Sequence, residues 1–159
     1  MRGLPKRRRQ EAKTDYGSRL TLLRSGKPRL VIRKTNKYIV AQLVNSTQAQ
    51  DSVLFTVSSK DLLSKGWPAD KSGSLKSLTA AYLTGFMFGV EAKKKAKSAI
   101  LDMGMQRNIA GSRIYAVLKG ALDAGFSVPH SEDVLPDEER INSNKSLSQI
   151  SASVKKKLE

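Results

Sequence analysis

Residues 6–43 (KRRRQEAKTDYGSRLTLLRSGKPRLVIRKTNKYIVAQL) hold the feature that most limits how this chain folds. The first 40 residues carry thirteen Lys and Arg against two acids, Glu11 and Asp15, a net +11 out of +15 for all 159 residues. Unpaired charge at that density cannot enter a core, so it must lie on a surface. Residues 1–24 are therefore expected to form a basic arm, with 1–14 mobile when free because its charges repel and little in it can be buried. A field of this size calls for a polyanion, RNA first. Taken alone, the arm also reads as a merely solvated tail.

The core is expected within residues 25–130, followed by an acidic segment and tail over 131–159. Ser25-Gly26-Lys27-Pro28 is a turn signal. Residues 29–35 and 37–45 are rich in Val, Ile, Leu and Tyr on either side of Thr35-Asn36, which predicts a hairpin. Alternation sets Arg29, Val31 and Arg33 on one face, and Leu30, Ile32 and Lys34 on the other. Residues 45–51 are polar and loop-like, and 52–58 (SVLFTVS) make a third strand. A short helix is expected from Ser59, ended by Gly66. A long one capped by Ser74 or Ser77 should run to about Lys97. Gly85 and Gly89, one turn apart in it, point to a close approach, expected against the sheet. Residues 98–103 (SAILDM) read as a buried strand parallel to a hairpin strand. Residues 112–124 form the clearest amphipathic helix, with Gly125 at its C-terminal end. Pro136–Arg140 can start a short helix, and 142–159 is expected to be a loose tail or a weak helix. The order β-β-β-α-α-β-α makes an α/β fold, a mixed sheet with packed helices.

Catalytic chemistry finds little support. There is no Cys, and a single His, His130, cannot build a multi-histidine metal site. His130 reads as a structural hydrogen-bonding residue. No phosphate-binding glycine loop occurs. A two-metal nuclease needs converging carboxylates. The hairpin contains none, Asp102 is alone on its strand, and Asp123 has no obvious partner. No cofactor or metal is expected. The longest apolar stretch, 80–90, falls short of the roughly 20 residues that span a bilayer, and no signal peptide is visible.

The cations carry the functional signal. Lys and Arg neutralise phosphates, and Arg also stacks on splayed bases. Candidate contacts are Lys6, Arg7, Arg8, Arg9, Lys13, Tyr16, Arg19 and Arg24 in the arm. Lys27, Arg29, Arg33, Lys34, Asn36 and Lys37 follow in the turn and hairpin. Tyr16 could stack on a base or anchor the arm. Ser112-Arg113 opens a helix whose free N–H groups could meet a phosphate or only water. Lys93–Lys95 and Lys97 suit a helix C-terminus, and that reading is slightly preferred to RNA contact. Trp67 reads as a packing anchor. A change at Lys156, in the tail, is expected to matter little. An arm with a hairpin suits folded RNA, since no helix concentrates base-reading side chains for a DNA groove.

Seven segments together resemble a known family: RRRQEAKTDYGSRLTLL (7–23), SGKPRLVIRKTNKYIVAQLV (25–44), KGW (65–67), AAYLTGFMFGVEAKKK (80–95), AILDMG (99–104), GSRIYAVLKGALDAGFSVPHSE (111–132) and PDEERI (136–141). Their order and spacing are similar to universal large-subunit ribosomal protein eighteen of archaeal type. That resemblance implies a ribonuclease-H-like motif without catalysis. It implies binding to 5S rRNA and its attachment to large-subunit rRNA in the central protuberance, beside ribosomal protein five and other proteins there. The location implied is the ribosome, in the cytoplasm. On matching positions it implicates Arg7, Arg8, Arg9, Lys13, Tyr16 and Arg19, then Arg29, Arg33, Lys34, Asn36 and Lys37, and the helix start at Ser112-Arg113. Residues 106–110 match less well and 142–159 match nothing. A free-standing RNA-binding or chaperone-like module is the alternative.

Overall fold

The computed structural model describes residues 4–48 and 50–158. Residues 1–3 of the expected arm and residue 49 of the expected 45–51 loop lie outside them. A four-stranded mixed sheet forms from β1 (Arg29–Lys34), β2 (Ile39–Thr47), β3 (Gln50–Ser58) and β4 (Ile100–Asp102), in the order β3-β2-β1-β4. β1 pairs antiparallel with β2 and parallel with β4. Two helices, α3 (Leu78–Ala92) and α4 (Arg113–Asp123), pack together beneath the sheet. The expected α/β architecture is present.

The alternation in the strands sets which face meets the helices. Leu30, Ile32, Ile39, Ala41 and Leu43 are buried with Phe88, Val117, Leu118 and Phe126 in one core cluster. Phe88 stacks on Phe55 at 4.9 Å between centroids and meets Phe126 edge-on at 5.9 Å. Each such aromatic pair contributes about 0.5–1.5 kcal/mol beyond its burial.

The hairpin is looser at its tip than expected. Lys34 pairs with Ile39, which leaves residues 35–38 as the loop in place of the two-residue Thr35-Asn36 turn. Thr35 closes it: its N–H and Oγ1–H both donate to the Tyr38 carbonyl, at 2.9 and 2.8 Å, and Oγ1 accepts the Tyr38 N–H at 2.9 Å. The polar segment 45–51 is mostly strand. Asn45 pairs with Ser52, Ser46 with Asp51 and Thr47 with Gln50. This end of the ribbon is polar because it runs past the core, and strand pairing is joined there by side-chain bonds of Ser46 and Asp51.

Ser58, one residue before the expected cap, starts a 3-10 helix (Ser59–Lys65). Its side chain accepts from the Lys60 N–H at 3.2 Å, while Asp61 accepts from the Ser58 N–H at 2.8 Å. Gly66 ends it at φ +108, and Trp67 is buried. A second 3-10 segment (Ala69–Ser74) leads to α3, whose N-cap is Ser77.

Two expectations about α3 are corrected. It ends at Ala92 rather than near Lys97, and residues 93–95 leave as turns. Lys95 then reaches the sheet, with Nζ 3.0 Å from the Leu54 carbonyl and over the Phe55 ring. The close approach of its glycines is to α4, not to the sheet. A Cβ at Gly85 would stand 1.9 Å from the Val117 carbonyl oxygen, and one at Gly89 2.6 Å from the Ala124 Cβ. Gly120 reciprocates from α4, 2.1 Å from the Tyr82 carbonyl. Helix interiors disfavour glycine by up to about 1 kcal/mol; here the return is backbone-to-backbone packing of two helices.

Of the two readings of the tail the structure shows the helix, and it is packed on a core rather than loose. After a single turn, α5 (Glu138–Ile141), the chain forms a 14-residue helix, α6 (Lys145–Leu158). Leu147 and Val154 are buried with Leu62, Trp67, Leu75 and Leu83 in a second core, with Ile150 and Leu158 against it. The spacing 147, 150, 154, 158 is a helical stripe, thin enough to be hidden among Ser and Lys.

Candidate nucleic-acid interface

The arm has more local structure than its charge predicts. α1 (Arg7–Gln10) is one turn, from which the Arg8 carbonyl accepts the Lys13 and Thr14 N–H groups, and Arg8 Nε donates to Thr14 Oγ1 at 2.9 Å. Arg7, Arg8 and Arg9 remain exposed. Arg7 and Lys13 share one acid, Glu11, at 3.7 and 2.8 Å. Exposed pairs of this kind contribute under about 1 kcal/mol and yield readily to phosphate.

α2 (Tyr16–Arg24) is capped by Asp15, whose carboxylate accepts from the Gly17 N–H and from both the N–H and hydroxyl of Ser18. Those bonds, the Ser18 hydroxyl foremost, hold the Asp15 carboxyl below its usual pKa. Lys6 Nζ lies 4.5 Å from the Tyr16 ring centroid. Tyr16 thus ties α1 to α2 in this conformation, and the ring is half-buried. Arg24 and Lys27 flank the exposed turn at Gly26.

α2 crosses the sheet face that carries no helix, leaving a cleft of about 550 Å³. Arg8, Lys13, Arg19 and Arg33 are among its lining residues, with Val31, Val44 and Leu101. One ion-pair chain links the layers. Arg19 donates to Asp51 at 2.8 Å, Asp51 accepts from Arg29 at 2.7 Å, and Arg29 donates to Asp102 at 2.6 Å. Ser46 joins it, donating to Asp51 at 2.6 Å and accepting from Arg29 at 3.0 Å. Partial burial raises the Asp51 pKa, but the bonds from Ser46 and Arg29 outweigh it, and the net shift is downward.

The hairpin candidates divide here. Arg29 is only 4% exposed, and its terminal nitrogens are committed to two carboxylates. It is placed to hold the sheet and α2 together rather than to meet a ligand. Arg33, Lys34, Asn36 and Lys37 are exposed. Arg33 lies over Gly104, where a Cβ would come within 2.2 Å of its Nη1. Ser112 precedes α4 as N-cap but makes no side-chain cap bond, and its Oγ is shielded without a partner. Arg113 is half-buried. His130 hydrogen-bonds the Val128 carbonyl through Nδ1 at 2.8 Å, as a structural residue would.

The candidate interface is therefore an arm and a hairpin tip rich in cations, with a cleft between α2 and the sheet. The acids within reach are already in use. Asp51 and Asp102 enclose a guanidinium instead of facing each other across open space. Sequence reading missed the Arg19–Asp51–Arg29–Asp102 chain, because the four residues are far apart in sequence and Asp51 was placed in a loop.

Comparison with known proteins gives the family. The family model described as ribosomal large subunit proteins 60S L5 and 50S L18 matches residues 3–99 and 89–131. The large ribosomal subunit protein uL18 of Korarchaeum cryptofilum is 51% identical over 136 residues, 85% of this chain and 68% of that one. The protein of the same name from Methanoculleus marisnigri is 49% identical over 139 residues, 87% and 77% of the two chains. That of Methanococcus maripaludis is 48% identical over 140 residues, 87% and 70%. These are structural proteins of the ribosome, not enzymes. With matches of this extent, the chain belongs to the L5/L18 family of large-subunit ribosomal proteins.

Proposed function

We propose that this chain binds 5S rRNA and helps attach it to large-subunit rRNA in the central protuberance, beside ribosomal protein five. The observation that carries the reading is the exposure of Arg7, Arg8, Arg9, Arg33, Lys34 and Lys37 on an arm and a hairpin tip. Each phosphate they neutralise releases counterions, and that release drives binding. Arg19, partly exposed, stands behind them at the cleft. The rigid parts are the sheet and α3–α4, which hold the hairpin at a fixed angle. The arm is held by exposed ion pairs and short hydrogen bonds, so it can re-pair with RNA at little cost.

Two roles follow for the candidate residues. Arg7–Arg9, Lys13, Arg33, Lys34, Asn36 and Lys37 meet RNA directly, with Lys6, Arg24 and Lys27 adding to the field. Arg29 positions the hairpin through Asp102 and α2 through Asp51. Ser112-Arg113 is a weaker candidate, since the Ser112 hydroxyl is enclosed. The cell compartment is that of the ribosome, the cytoplasm.

Salt-washed ribosomes test the placement. The protein is expected to sediment with large subunits and to leave with 5S rRNA when that RNA is stripped. Recovery as free protein at moderate salt would instead favour an RNA-binding module outside the ribosome.

A further inference from the structure

The packing of α6 creates a second cationic surface that the sequence left in a tail. Its apolar stripe is fixed against Leu62, Trp67 and Leu83, so its last turn is held in place. That turn is Lys155-Lys156-Lys157. Lys155 is used internally: Nζ lies 5.3 Å from the Phe86 ring centroid and 3.2 Å from the Tyr82 hydroxyl. Lys157 lies over Gly66, where a Cβ would come within 2.9 Å of its Nζ. Gly66 ends the 3-10 helix that bears Lys60 and Lys65, both exposed.

The same 3-10 helix begins against the hairpin. Ser59 Oγ accepts the Ile39 N–H at 3.1 Å, two residues from Lys37. Seven residues of 3-10 helix span roughly 14 Å. Lys34 and Lys37 thus stand near the start of this 3-10 helix, and Lys157, with Lys156 next to it, stands at its end. Asp61, the acid among them, is engaged in its capping box.

We infer that Lys60, Lys65 and the last turn of α6 form an RNA-backbone-binding surface continuous with the hairpin tip. This rests on the RNA-binding reading proposed above and extends it to Lys60, Lys65 and to α6, the last beyond the span of the family model, which ends at residue 131. The helix dipole favours cations at the end of α6, but it does not account for Lys65, next to the Gly66 that Lys157 covers. A membrane is the poorer partner. The exposed large apolar residues among those described are Leu4, Leu20, Val53, Leu54, Met105 and Ile109, none of them on α6 or the 3-10 helix. Phosphates reached by cations alone, without base-reading side chains, make this contact sequence-independent.

The test is the salt dependence of 5S rRNA binding by the full-length chain. Lys156→Gln/Lys157→Gln is expected to make the log–log slope shallower by about 1.4–1.8, the loss of two phosphate contacts. Lys156→Arg/Lys157→Arg should keep the original slope. Lys156→Gln alone, at an exposed position, cannot unfold the helix and should show about half the change. An unchanged slope in the glutamine variants, with Lys37→Gln still making it shallower, would overturn the inference and leave the arm-and-hairpin reading intact. An unchanged slope in all of them, Lys37→Gln included, would overturn both.

Discussion

The Arg29 guanidinium, on the first strand, donates to the Asp102 carboxylate on the fourth at 2.6 Å, and both groups are buried. The strands that carry them run parallel and adjacent, with Val31 opposite Asp102. Arg29 also holds Asp51, at the far end of the ribbon, which in turn holds Arg19 on α2. With Ser46 also accepting from it, a single side chain ties all four strands and, through Asp51, the arm helix. Removing it leaves the buried Asp102 carboxylate without its cation, while Asp51 keeps only Arg19 as a cation. Arg29→Met is expected to lower unfolding free energy by about 3–5 kcal/mol in urea. A loss under about 1 kcal/mol would show that Arg29 does not hold these layers together.

The same cluster sets an acid limit. The Asp51 pKa is lowered by folding. A carboxylate depressed in this way contributes stability above its unfolded pKa and loses it as the pH falls through the folded value. The loss therefore begins near the ordinary Asp pKa of about 4 and grows below it. Urea midpoints measured between about pH 6 and pH 3 should fall less steeply in Asp51→Asn than in the natural chain. Parallel curves would place the acid sensitivity elsewhere.

Backbone contact between α3 and α4 leaves no room at Gly85. Gly85→Leu should cost at least about 3 kcal/mol or abolish folding, because the clash is with the Val117 carbonyl and not with a side chain that can swing away. Gly73→Ala is the control: nothing lies within 4 Å of a Cβ there, so the expected change is within about 0.5 kcal/mol. Thermal melts of the two variants decide it, and equal melting temperatures would refute the close-packing account.

At the hairpin tip, Arg33→Ala and Lys37→Ala should weaken 5S rRNA binding, each making the salt slope shallower by about 0.7–0.9. Arg33 also covers Gly104, so its variant is expected to lose some stability, whereas Lys37→Ala is not. Filter binding alongside urea unfolding separates the two effects. Full binding by both variants would remove the hairpin tip from the interface.

Much of this was legible because period and charge act locally. Alternation set Leu30 and Ile32 together on one face of the first strand, which is the face buried in the core, and the apolar stripe from Ile114 to Leu122 placed α4. What depended on distant partners was not legible. Arg29 read as one more cation because Asp51 and Asp102, 22 and 73 residues away, are brought to it only by strand pairing. The glycines of α3 announced a close approach but not its partner, since a missing side chain does not name what replaces it. The packing of α6 was hidden because four large apolar residues in fourteen fall below a clear pattern, and the second core that holds them is assembled from Trp67 and Leu83, far earlier in the chain.

The most direct measurement is a salt titration of the purified protein with 5S rRNA and with a tRNA of similar length. If the arm and hairpin recognise a shaped RNA, 5S rRNA binding persists at physiological salt while tRNA binding collapses. If both affinities fall together along the same slope, the chain is only a polycation toward RNA, and the claim that it recognises 5S rRNA is contradicted.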